Sequence, residues 1–193
     1  MTLETGRWRT RRDLPVWLVL AVLLVAGWAL KGTVEGRTAV FADPAGSLRV
    51  RYPAGWLAVP GSTALLDVRD PISGADVPTS LTVTKEPRVQ DQSLDQIARA
   101  GILIRTKQLD MYRVLSADPV KVAGKDAVEV RYVFVADPHG AVLELQRIPV
   151  VVRGLEIVIP SDQTVYHIDL RADNAAFDAV RRDLDRIVGG IQL

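Results

Sequence analysis

Apolar and polar positions follow three different rhythms along this chain. Between Asp13 and Lys31 there is no charge at all, the run LPVWLVLAVLLVAGWAL occupying Leu14 to Leu30. Further on, short segments alternate apolar and polar residues, the period of a strand with one face against a core. Leu48, Val50 and Tyr52 alternate with Arg49 and Arg51, ahead of turn residues at Pro53–Trp56. Leu65–Val68 runs into a turn at Asp70–Gly74, and Leu81 and Val83 alternate with Thr82 and Thr84. Val114–Ala117 and Val120–Val122 are short apolar pieces around Asp118–Pro119, which predicts a break between them. Ala127–Val135 carries Val128, Val130, Tyr132 and Phe134 on one side. Asp137–Gly140 has the chemistry of a hairpin turn and leads into Val142–Val152. Past the breaker Arg153–Gly154 come Leu155–Ile159 and then the alternation Tyr166, Ile168, Leu170.

Two segments repeat every three to four residues instead. Ser93 with Gln96 forms a capping box that opens a helix over Leu94–Lys107, its apolar face made of Leu94, Ile97, Ala98, Gly101 and Ile104. The second runs over Asn174–Val188, capped by Asp173, with Phe177, Val180, Leu184 and Ile187 as its stripe and Gly189–Gly190 as its stop. Many strands joined by short turns, with few helices, predict an α+β fold. Its mostly antiparallel sheet carries helices packed on its faces.

The uncharged run has a different meaning. Its 17 positions stand at the short end of the ~17–25 that span a hydrocarbon core as a helix. Trp17 and Trp28 lie near its ends, where indoles favour the headgroup region, and Pro15 falls in a first turn that needs no N–H. Arg7, Arg9, Arg11 and Arg12 precede the run, whereas only Lys31 and Arg37 follow closely, so the N-terminus is expected in the cytoplasm. The expected organisation is a basic cytoplasmic tail over 1–13, a transmembrane helix over 14–30, a tether over 31–38 and one extracytoplasmic domain over 39–193. A cleaved signal peptide has a similar plan, and small residues occur at Val25, Gly27 and Ala29. Both cuts would fall inside the apolar run, so an uncleaved signal-anchor is preferred, with the lipid bilayer as a first partner.

Splitting the chain changes the charge picture. The total is +1, but beyond residue 37 there are 18 basic against 20 acidic residues, so the domain is nearly neutral. No basic field marks a nucleic-acid binder. The absence of cysteine removes disulfides, thiol nucleophiles and thiolate metal sites together. No Gly-x-Ser-x-Gly elbow, Ser-x-x-Lys, Gly-x-Gly-x-x-Gly or phosphate-binding loop is present, so no catalytic residue and no cofactor is assigned.

What remains is sparse. There are two histidines: His139 sits in the Asp-Pro-His-Gly turn, and His167 alternates with Asp169 on one strand face. Two such ligands do not make a metal site without a convergent third. Asp67, Asp70 and Asp76 gather three carboxylates in a short stretch without EF-hand spacing, and Asp-Pro and Ser-Gly there are ordinary turn chemistry. His167, Asp169, Asp67, Asp70 and Asp76 are therefore weak metal candidates and no more. Trp56 after its turn is expected to plug the core.

The order of these segments resembles the PsbP family, whose founding member is an extrinsic lumenal subunit of photosystem II. The resemblance rests on LRVRYPAGW (Leu48–Trp56), LLDVRDPI (Leu65–Ile72), the helix from Ser93, VKVAGKDAVEVRYVF (Val120–Phe134), TVYHIDLRA and the last amphipathic helix. It implies an antiparallel sheet sandwiched by helices, and an extrinsic, non-enzymatic binding or assembly role on a membrane complex. The anchor departs from the photosynthetic members, so a photosystem role is not implied. The expectation is a membrane-anchored accessory, assembly or stabilising subunit of an integral-membrane protein complex. An extracytoplasmic small-ligand or divalent-metal module is the alternative, and a hydrolase ranks below both.

Overall fold

The structure, a computed structural model, describes residues 16–28, 36–44, 46–89, 91–136 and 149–193. The chain divides into two units, Met1–Arg37 and Thr38–Leu193. In the first unit residues 16–28 form helix α1, whose side chains are exposed. Leu14, Pro15, Ala29 and Leu30, the basic tail and most of the tether lie outside the described residues. Among the described residues no helix is long and apolar enough to cross a membrane, so the expected span over 14–30 is not found there.

The second unit is α+β, as the alternation predicts. Strands β1 (Thr38–Ala42) and β2 (Arg49–Pro53) form a small antiparallel sheet of their own. Seven more strands make the main sheet: β3 (Leu57–Ala58), β4 (Leu66–Arg69), β5 (Ser80–Pro87), β6 (Asp110–Val122), β7 (Lys125–Ala136), β8 (Val150–Pro160) and β9 (Thr164–Asp173). Their order is β3-β4-β5-β9-β8-β7-β6, and every pairing is antiparallel. Helix α2 (Leu94–Gln108) connects β5 to β6, and α3 (Phe177–Gly189) follows β9.

The two faces of the sheet are covered differently. On one, Leu81, Val83, Ile157, Ile159, Tyr166, Ile168 and Leu170 pack against Leu48, Val50 and Trp56 and against Leu184 and Ile187 of α3. Trp56 is the expected plug. Asp43, 5% exposed, pins the small hairpin to this face by accepting Lys85 Nζ at 3.0 Å and Tyr166 Oη at 2.9 Å. On the other face, Ile97 of α2 packs on Val158 and Val165, and Ala98 on Val128 and Val130.

Several local expectations are corrected. Asp118–Pro119 does not break β6, which runs on to Val122. The strand is the edge of the sheet, where a missing N–H leaves no ladder bond unmade. Arg153–Gly154 does not break β8 either, because Gly154 lies under the Tyr132 ring in the middle of the strand. Asp173 does not cap α3; its Oδ1 accepts the Ala175 N–H at 2.8 Å, and the helix starts later, at Phe177, with Ala176 at the N-cap and no side-chain cap bond. Ser93 and Gln96 do close their capping box. Ile104, expected on the buried face of α2, is 53% exposed. The Asp137–Gly140 turn, with His139, and residues 141–148 of the following segment lie outside the described residues.

Candidate functional site

The α2-facing side of the sheet changes character from strand to strand. Register places Val128, Val130 and Tyr132 of β7 opposite Val158, Glu156 and Gly154 of β8. Those three in turn face His167, Asp169 and Arg171 of β9. The last row is Thr84, Thr82 and Ser80 of β5. Directly paired residues share a face. The face is thus apolar beneath α2, charged along its middle and hydroxylic along β5. Helix α2 lies over the apolar part and reaches the charged middle through Arg105, and a cleft of about 680 Å³ opens between its C-terminal half and strands β5 and β9.

Two ion clusters form the floor. Glu156 is fully buried, and Arg105 from α2 grips it with both terminal guanidinium nitrogens, Nη2 at 2.6 Å from Oε1 and Nη1 on Oε2. The His167 ring sits between two carboxylates, Nδ1 at 2.8 Å from Glu156 Oε1 and Nε2 at 3.2 Å from Glu86 Oε1. Both ring nitrogens then donate, which makes His167 an imidazolium. Burial pulls its pKa down, but the hydrogen bond to Glu156, that residue's charge and then Glu86 outweigh it, and the pKa stands above its usual value. Burial pushes the Glu156 carboxyl up, yet the hydrogen bond to His167 and the charge of Arg105 more than offset it, and its pKa lies below the carboxylate range.

In the second cluster, Tyr132 Oη donates to Asp169 Oδ1 at 2.5 Å. Arg171 donates to Asp169 Oδ2 through Nη2 at 2.7 Å and Nε at 2.9 Å. Burial, and then the charge of Asp169, push the Tyr132 phenol far up, so it remains a donor. Tyr112 stacks beside it with ring centroids 5.2 Å apart, and burial is the main reason its phenol is pushed up to about 12.

His167 and Asp169, paired in sequence, do enter the same cleft, but each is committed to a different partner. Asp67 lies on β4 in register with Thr82, on the same face. Asp70 caps its own turn, Oδ1 accepting the Ile72 N–H at 2.9 Å, and Asp76 is exposed in the same loop. Among the described residues no three His, Asp or Glu side chains gather where they could hold a metal ion. Sequence reasoning missed Arg105, Glu156, Tyr132, Arg171 and Glu86. Glu156 had a signal: it is the lone charge between Leu155 and Ile157–Ile159, a run apolar on both faces. The other four looked like ordinary surface or core positions.

No family model matches the chain, and no curated protein matches it. Solved structures do. Cyanobacterial PsbP of Synechocystis superposes with a TM-score of 0.59 at 16% identity, covering 81% of this chain and 92% of its own. LpqN of Mycobacterium tuberculosis, described as involved in cell envelope biogenesis, superposes with a TM-score of 0.56 at 13% identity, covering 81% and 90%. At such identities the likeness is one of fold: the domain has a PsbP-like fold.

Proposed function

We propose that this chain is a non-enzymatic accessory or assembly subunit of a membrane protein complex, anchored by its N-terminal apolar run and binding through a PsbP-like extracytoplasmic domain over 39–193. The observation that carries the reading is the state of the cleft floor. A general base needs a free lone pair and a nucleophile needs an adjacent base. Here both nitrogens of His167 face carboxylates, and Asp169 is occupied by Tyr132 and Arg171. Such a floor holds its histidine and its aspartate in ion pairs, which supports a binding surface over an acid–base centre. The uncharged stretch between Asp13 and Lys31 supports the anchor, and the Arg-rich flank supports the orientation. The involvement of LpqN in cell envelope biogenesis is in keeping with a domain of this fold working outside the cytoplasm.

The test is purification of the tagged full-length chain from membranes solubilised in mild detergent, with identification of what accompanies it. A stoichiometric membrane-protein partner is expected, and its absence overturns the reading. Resistance to alkaline carbonate extraction tests the anchor, and protease access from outside intact cells tests the orientation. A small-ligand module is the second reading, favoured by the volume of the cleft. A rise in melting temperature with a small solute, in a chain that purifies alone, would put it first.

A further inference from the structure

The cleft between α2 and strands β5 and β9 keeps more hydrogen-bonding capacity than the fold uses. Thr82, Thr84 and Glu86 line it from alternate positions of β5, so they share one face of the strand. Register sets Thr82 beside Asp169 and Thr84 beside His167. Neither threonine hydroxyl makes a hydrogen bond among the described residues. Glu86 is half exposed and uses only Oε1, at 3.2 Å from His167 Nε2, which leaves Oε2 open. Arg171 is held over the Phe134 ring, 5.4 Å from its centroid, and gives Nε and Nη2 to Asp169, which leaves Nη1 open. His167 and Asp169 stand two residues apart on β9, about 7 Å at the rise of a strand. An open carboxylate oxygen and an open guanidinium nitrogen therefore converge on the middle of the cleft.

The surroundings narrow what these groups can take. Three acids balance three bases in the floor, Glu86, Glu156 and Asp169 against Arg105, His167 and Arg171, so the site favours neither a polyanion nor a polycation. Apart from His167 no aromatic ring lines the cleft among the described residues, so the stacking face used for a nucleobase or a quaternary ammonium is missing. The helix side is aliphatic instead. Ile104 is 53% exposed there and Val89, at the mouth, 57%, with Ala100 and Gly101 keeping the wall low between side chains.

We infer that this cleft binds a free aliphatic amino acid. Its ammonium lies on Glu86 Oε2 and the Thr84 hydroxyl, its carboxylate on Arg171 Nη1 and the Thr82 hydroxyl, and its side chain against Ile104 and Val89. The inference goes beyond the accessory-subunit reading and gives a chemistry to the small-ligand one. A primary ammonium offers three donors and a carboxylate only acceptors, which matches an acceptor end and a donor end each with a hydroxyl beside it. Two hydrogen bonds of about 2.9 Å, with the short link from amine to carboxyl between them, bridge up to about 9 Å. Opposite charges at the two ends fix the orientation, and the aliphatic wall then meets the side chain.

The test is titration calorimetry on the full-length chain in detergent, with melting temperature as a second readout. Leucine is expected to bind and to raise the melting temperature. Its single-ion analogues, 3-methylbutylamine and 4-methylpentanoate, should each bind at least about tenfold more weakly, and so should glycine. Glu86→Gln should weaken leucine about tenfold or more and leave 4-methylpentanoate unchanged, since that ligand has no ammonium to lose. Ile104→Ser, at an exposed position that keeps the fold, should narrow the preference for leucine over glycine. The inference is overturned if leucine gives neither heat nor a thermal shift, if either analogue matches it, or if leucyl-leucine binds more tightly. Undiminished leucine binding to Glu86→Gln, or an unchanged leucine-to-glycine ratio in Ile104→Ser, also overturns it. A chain that brings a stoichiometric partner from membranes but binds no leucine loses this inference alone. A chain that binds leucine but purifies alone loses the accessory-subunit reading alone.

Discussion

Tyr132 and Gly154 are register partners on β7 and β8, and the tyrosine ring occupies the space a side chain at 154 would need. A Cβ on Gly154 would come within 2.1 Å of the Tyr132 ring carbon Cζ. Glycine therefore lets the ring lie flat on the sheet, where its hydroxyl reaches Asp169 two strands away. Gly154→Ala is expected to displace the ring and destabilise the fold by about 1–3 kcal/mol, the usual cost of overpacking. Urea denaturation checks the stability. Loss of near-ultraviolet dichroism from the tyrosine cluster checks the cause.

Glu156 is the anchor of the other cluster, holding Arg105 and His167 at once. Removing one member of a buried ion cluster leaves the rest uncompensated, at a cost of about 3–5 kcal/mol. Glu156→Gln is expected to lose stability in that range at neutral pH. Glu156→Leu combined with Arg105→Met and His167→Leu should recover most of it, because no buried charge then lacks a partner. Equilibrium unfolding of the single and triple variants separates the two outcomes.

The same cluster sets a pH profile. His167 has a folded pKa above its usual 6.5, so its contribution is fully present below about 6.5 and is lost as pH rises through the folded value. Glu156 has a folded pKa below its usual 4.5, so its contribution is present above about 4.5 and is lost as pH falls through the folded value. Stability is expected to be greatest between these limits and to decline on both sides. His167→Gln should flatten the alkaline decline and also weaken the acid one, because the His167 hydrogen bond is the largest influence holding the Glu156 pKa down. Melting temperatures across pH, with the His167 imidazole followed by NMR, provide the measurement.

The hairpin between β6 and β7 turns on Ala123 and Gly124, both with positive φ, at 52° and 79°. Glycine accepts this conformation freely, while alanine there carries a Cβ penalty of about 1–2 kcal/mol. Asn tolerates the left-handed region and favours the first position of such a turn. Ala123→Asn is expected to stabilise the domain by about 0.5–1 kcal/mol, seen as a shift in denaturation midpoint with unchanged slope.

Local signals proved dependable where the physics is local. The Ser93–Gln96 box and the Gly189–Gly190 stop are decided within one turn of helix, and both stand in the structure. Breaks at Pro119 and Gly154 failed because each residue is tolerated for a reason supplied from outside its own strand: an unpaired edge in one case, a neighbouring ring in the other. His167 and Asp169 were legible as a same-face pair because strand period is two. Their partners were not, since Glu86 lies 81 residues from His167 and Tyr132 lies 37 from Asp169.

By itself the sequence determined an α+β domain with an antiparallel sheet, two capped or glycine-ended amphipathic helices, a tryptophan in the core and an uncharged N-terminal run. Those follow from periodicity and from backbone preference, which act over a few residues. The tertiary structure alone decided that β9 lies between β5 and β8, and this one placement builds the cleft. It sets Thr84 beside His167 and Glu156 beside Asp169. Strand order is chosen by how distant apolar faces fit together, so alternation can tell which side a residue faces but not what it will meet there.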